Sequence, residues 1–257
     1  MLRLFHKIRR QLFSENKVGR YLLYALGEII LIVIGILIAI TIDNNNEVRK
    51  IRKMEQAYLV GLKSEFEQSR RKLQTLIEVN RDSYADAKRI ANYISSGTFP
   101  EEKELSVLLF NAVSFEIAYN PNNSLLNEVI STGYLKNIRS QELRQELAAW
   151  ESVIQGIHRQ EATMREQREK ILDLFRTEEG SIRTILDQAG ISEQQMEMPV
   201  SGKAVSNLQV IKSRTFENNL LPYVLTGINT ESNHYIPLLE RINRILQLID
   251  EEIVNSP

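Results

Sequence analysis

Apolar residues along this chain form one unbroken run and several periodic stripes, and the two patterns predict different surroundings. Tyr21 to Ile42 reads YLLYALGEIILIVIGILIAITI, with fourteen Leu, Ile or Val and Glu28 as its only charge. Twenty-two residues at about 1.5 Å each reach ~33 Å, enough to cross a hydrocarbon core of ~30 Å. The aliphatic side chains contribute about −7 kcal/mol to insertion, which outweighs a cost of about +3 kcal/mol for one acid near the centre. The run is therefore predicted to be a transmembrane helix, with Tyr21 and Tyr24 at an interface. Three other readings of the run compete with this one. A cleavable signal would end in a small-x-small site, whereas the run ends ITIDNNN. The Arg9-Arg10 pair precedes a span too long and too apolar for a twin-arginine signal, and nothing else in the chain is apolar enough to sheath the run as a soluble helix.

Beyond the run the period becomes helical. Leu143, Leu147, Trp150, Ile154, Ile157, Glu161, Met164, Arg168, Ile171 and Phe175 step alternately by four and three. They predict one helix of about 38 residues that Ser140 caps and Gly180 ends. The same rhythm runs through Leu59, Leu62, Phe66, Ser69, Leu73, Leu76, Asn80, Ser83, Ala87, Ile90 and Ile94, as a continuation of the span closed by a turn at Gly97-Thr98-Phe99-Pro100. A third stripe is Tyr235, Leu239, Ile242, Leu246, Ile249 and Ile253. Shorter helices are predicted over 101–118 and 124–132. The stretch 180–205, with three glycines and Pro199, is expected to be the least ordered, and a helix over 206–228 is weakened by Pro222. Such stripes favour an antiparallel bundle within one chain over a coiled coil between chains. The polar seam residues Ser69, Asn80, Ser83, Glu161 and Arg168 suggest imperfect packing or a partner.

Composition sharpens this picture. Eleven Gly and six Pro in 257 residues are few turn-formers for a chain of this size, as long helices require. The net charge of −1 hides a division: residues 1–20 carry +5, and residues 43–257 carry −5. By the positive-inside rule the basic arm stays in the cytoplasm. The expected fold is all-α, with an N-terminal transmembrane helix followed by an elongated helical-bundle or coiled-coil-like extramembrane domain. Residues 1–20 are read as a cytoplasmic basic arm, 21–42 as the inner-membrane span, and 43–257 as a periplasmic helical domain.

The segment SENKVGRYLLYALGEIILIVIGILIAITIDNNNEVRKIRK resembles the N-terminus of the DUF6090 family, single-span membrane proteins of Bacteroidota. Gly27, Glu28, Ile29, Gly35, Ile36, Leu37, Ile38, Ala39, Asn44, Asn46 and Glu47 match its pattern. Asp43 stands where the family has Asn, and Asn45 where it has Trp. A weaker match is LLNEVISTGYLKNIRSQELRQEL, which is similar to an internal segment of the family. The resemblance implies topology and compartment but no activity.

Chemical motifs are sparse. The chain has no cysteine, which excludes disulfides and thiolate chemistry, and only His6, His158 and His234 offer imidazoles. Glu231-Ser232-Asn233-His234 has the E-x-x-H spacing of di-iron bundles, but a full site needs a second copy and two more carboxylates. It reads better as a capped, solvated first turn. No phosphate-binding loop, nucleophile elbow or dinucleotide fingerprint occurs. Basic clusters are interleaved with acids, which argues against nucleic acid as a partner. No catalytic, cofactor-binding or metal-binding residue is assigned, and an enzyme is not expected. The one costly placement is Glu28. With Gly35 and Ala39, at seven and eleven residues on, it forms a candidate helix-contact face toward a second copy or a membrane-protein partner, the rest of the span facing the lipid bilayer. The expected role is an interaction or assembly domain presented in the periplasm. The alternative is a periplasmic ligand-sensing module acting through a membrane partner, less favoured because only about 20 residues precede the span.

Overall fold

The computed structural model describes residues 18–254, and every regular element among them is helical. The basic arm lies outside the described residues as far as position 17. The chain falls into two units, Met1–Ala57 and Tyr58–Pro257. One helix, α1 (Val18–Ser96), supplies the described part of the first and the opening member of the second. The stripe after the apolar run does continue the same helix, as its unbroken period requires.

In the first unit, every residue from Leu26 to Lys50 is exposed. This holds for the largest aliphatics, with Leu31 at 66% and Leu37 at 57%.

The second unit places its apolar stripes inside. After α1 ends at Gly97, whose φ of 68° only glycine adopts without strain, the chain returns through α2 (Glu102–Val113), an irregular stretch, and α3 (Ser124–Ser131). It runs antiparallel to α1: Glu104 meets Arg89, Asn111 meets Asp86, Asn122 meets Gln68, and Glu128 meets Tyr58. A short 3₁₀ turn (Tyr134–Asn137) leads to α4 (Gln141–Phe175). Ser140 caps α4 by accepting from the Leu143 N–H at 3.1 Å. Nine of the ten predicted seam positions of α4 are buried, Arg168 being the partly exposed tenth. The helix stops at Phe175 rather than at Gly180.

The stretch expected to be least ordered instead builds a cap. It forms α5 (Ile182–Gln188) and α6 (Ile191–Gln194), and α7 (Leu208–Ile211) follows. Asn207, fully buried, joins the cap together: its side chain accepts from the Ser181 N–H and donates to the Ser181 carbonyl. Its own N–H donates to Glu102 of α2.

The fourth member is α8 (Arg214–Thr230), a single π turn (Glu231–Tyr235) and α9 (Ile236–Val254). It runs antiparallel to α1 and α4, as Asn80–Gly227, Lys63–Asp250, Gln160–Thr230 and Glu142–Arg244 show. The helix passes Pro222 because that residue is exposed, so the Asn218 carbonyl that loses its partner stays on the wet face. The π turn answers Pro237: the Ile236 N–H reaches back to the Glu231 carbonyl, and the wider turn makes room for a ring that would press on residue 233. Two expectations fall here. The 206–228 helix is not broken at Pro222, and Glu231 to His234 is no solvated first turn but the middle of a long helical run. The result is an up-down-up-down bundle whose second member is interrupted.

Candidate functional site

The interruption, residues 114–123, draws on several of the unit's buried polar groups, Ser69 and Glu161 among them. A chain that leaves helix inside a bundle strands its N–H and C=O groups, which must find partners. Here the polar seam residues provide them. Tyr119 is held on three sides: its N–H donates to Glu161 Oε1 at 2.7 Å, its carbonyl accepts from His158 Nε2 at 3.2 Å, and its hydroxyl donates to the Ser69 carbonyl at 3.1 Å. A carbonyl only accepts, so His158 carries its proton on Nε2. Ser69 Oγ accepts from the Asn122 N–H, and Lys72 Nζ donates to the Asn120 carbonyl. Arg168 Nε donates to the Val113 carbonyl at 2.8 Å and Ser83 Oγ to the Asn111 carbonyl. Asn80 Nδ2 donates to the Gly227 carbonyl at 3.0 Å. Each polar seam position thus makes at least one hydrogen bond within the chain, while the buried Asn80 Oδ1 accepts none.

Two further groups complete the clasp. Glu65 accepts from the N–H groups of Leu125 and Leu126, so a carboxylate of α1 caps the N-terminus of α3. Asn123, the residue before that helix, accepts the indole N–H of Trp150 on its side-chain Oδ1 at 2.9 Å. Trp150 is 1% exposed and packs edge-on against Phe66, centroids 4.9 Å apart.

Glu161 is the electrostatic centre. It is buried and accepts the Tyr235 hydroxyl at 2.7 Å in addition to the Tyr119 N–H. Burial pushes its carboxyl above the usual range, opposed by those two hydrogen bonds and by His158 and Arg165. Tyr235 is pushed far up by burial and by Glu161, and Tyr119 is raised chiefly by burial, so both phenols remain donors. The arrangement suits holding a backbone in place. Glu231, mostly buried, is bound by Arg81 and by the Tyr84 hydroxyl at 3.0 Å. His234 lines an open groove of about 530 Å³ between α4 and α9, with Gly156, Pro237 and Arg241. Among the described residues no three His, Asp or Glu are grouped to hold a metal ion.

Glu28, Gly35 and Ala39 lie within about 20° of one line along α1, and all three are exposed. A Cβ added at Gly35 would meet nothing within 4 Å. The sequence marked Glu161 only as a polar interruption and Tyr235 only as the first member of an apolar stripe, and Tyr119 carried no signal. Glu65 had none either, since it sits off the α1 seam.

These features define a helical protein: one helix long and apolar enough to cross a membrane, joined to a bundle with a broken, clasped second member. Residues 28–152 match the model of DUF6090, a family of unknown function, and over this stretch the chain is similar to that family. The match runs from Glu28 past Trp150, so it takes in the interruption, Glu65 and Ser69, while His158, Glu161, the cap and the fourth member lie beyond it. No curated protein and no solved structure matches the chain.

Proposed function

We infer that the protein is a single-span inner-membrane protein that holds its helical bundle in the periplasm as an interaction or assembly module, and that it is not an enzyme. One observation carries this reading. The chain buries the stripes of its second unit almost completely, yet leaves the apolar run exposed from Leu26 to Ile42, as at Ile34 and Ile36. Continuous exposed apolar surface of that extent needs a covering, and a bilayer matches its length. The orientation follows from flanking charge: six Lys or Arg precede the run within 20 residues, against four from Arg49 to Lys53 after it. The assembly role is supported by a clasp built to hold shape, with its donors and acceptors turned to one another.

The groove between α4 and α9 is the one feature that favours ligand sensing. Its arginines are already engaged, Arg241 by Glu146 and Arg244 by Glu142, which is why assembly is preferred. The decisive experiment is topology mapping with alkaline extraction. The full chain is expected to stay in the membrane fraction at high pH. A periplasmic reporter fused after Pro257 is expected to be active, and one fused after Phe13 inactive. The reverse reporter pattern overturns the orientation, and release by alkali overturns the span.

A further inference from the structure

We propose that Arg49, Lys50 and Lys53 form a contact site for the headgroups of anionic phospholipids. The site rests on the membrane-span reading above and adds to it a lipid class and the residues that select it. The apolar run and the segment after it are one helix, so residues beyond Ile42 leave the hydrocarbon on a fixed schedule. Arg49 stands ~10 Å and Lys53 ~16 Å along the axis from Ile42, where the headgroup layer extends about 5–8 Å. Side chains of an α-helix lean toward its N-terminus, which here is back toward the bilayer, and long basic side chains extend to reach it. Asn44, Asn45 and Asn46, all exposed, occupy the intervening turn without competing charge.

Angular placement separates the cations from their acidic neighbours. At about 100° per residue, Arg49, Lys53 and Lys50 cover an arc of roughly 100°, and Asp43 and Glu47 fall on the adjoining arc. Arg52, between them in sequence, lies about 60° from Arg49 on the side opposite Lys50 and is engaged by Glu55 one turn on. Arg49, Lys50 and Lys53 are exposed. A basic patch held close to the bilayer surface attracts lipid anions over a distance of about one Debye length.

The test uses the full chain, which has no cysteine, so Met54→Cys creates a single labelling site beside the patch. Met54 is 50% exposed. The chain carrying a fluorophore there is reconstituted into phosphatidylcholine vesicles containing nitroxide-headgroup phosphatidylglycerol or, at equal mole fraction, nitroxide-headgroup phosphatidylcholine. The anionic quencher is expected to act as though about fivefold concentrated at the label, and the excess to collapse in high salt. Replacing Arg49, Lys50 and Lys53 together by Gln is expected to abolish the excess while quenching by the zwitterionic lipid persists. Equal quenching by the two lipids in the parent chain, or an excess that survives the triple substitution, overturns the headgroup site and leaves the span standing. Absence of quenching by either lipid overturns the span reading itself, and the site with it.

Discussion

Glu161 shows how one side chain decides a local fold. Its two donors come from segments far apart in sequence, the Tyr119 backbone and the Tyr235 hydroxyl, and both bonds are buried. Glu161→Ala leaves both unpaired inside the bundle and is expected to cost about 2–5 kcal/mol in urea unfolding. Glu161→Gln keeps an oxygen for both donors. Because the folded state raises the pKa of Glu161, it favours the protonated form. That contribution to stability is complete below the ordinary value of 4.5 and is lost as pH rises through the folded value. Glu161→Gln is therefore expected to be at least as stable as the parent at neutral pH, and to lose this component of the pH dependence. A glutamine variant with an unchanged pH profile would assign the dependence to other groups. Trp150 reports the same region: its emission should be blue-shifted and protected from acrylamide, both lost on unfolding, and a freely quenched Trp150 would contradict its burial.

At the scale of elements, α1 and α8 approach closely because Gly227 has no side chain. A Cβ there would sit 2.9 Å from the Tyr84 Cβ, while the Gly227 carbonyl accepts from Asn80. Gly227→Val is expected to push the helices apart at a cost of about 1–3 kcal/mol, visible as a lower urea midpoint. It should also weaken the Tyr84 to Glu231 bond, so that Tyr84→Phe costs less in its presence than in the parent. The apolar part of α1 carries a different expectation. If Glu28, Gly35 and Ala39 meet a second helix in the membrane, Gly35→Ile weakens association by steric exclusion, and Glu28→Gln preserves it through the amide. Glu28→Leu weakens it despite inserting better. Parent-like association in a membrane reporter for both Gly35→Ile and Glu28→Leu would leave that face to lipid.

Across the whole molecule, the two units treat their apolar residues differently. The second unit, Tyr58–Pro257, owes its core to packing within one chain, from Leu59 and Leu62 to Ile245 and Ile249. A soluble chain from Glu47 to Pro257 is therefore expected to show a strongly helical circular dichroism spectrum and a cooperative thermal transition. A sheet-rich spectrum, or melting without cooperativity, would contradict a bundle that stands on its own packing. The first unit makes no such core among its described residues, and adding the apolar run should convert a soluble chain into one that needs detergent or lipid.

The difference between the two units was legible in the sequence, because an unbroken apolar run and an apolar stripe differ in period. An unbroken run such as Tyr21 to Ile42 has no polar face to turn to water, while the four-and-three step from Leu143 to Phe175 has one apolar stripe and specifies a helix with one side inward. The helix start at Ser140 was local in the same sense, since a hydroxyl caps a turn only three residues away. What periodicity does not encode is which stripe meets which, and only the tertiary structure decided that. It made Glu161 and Ser69 partners of a broken segment rather than flaws in a seam. It sent Glu65 to cap a helix 60 residues later in the chain, and it absorbed Pro237 into a π turn. Each of these depends on a donor and an acceptor that are distant in sequence and become neighbours only when four helical members are stacked, and a hydrogen bond between them leaves no periodic trace in either segment.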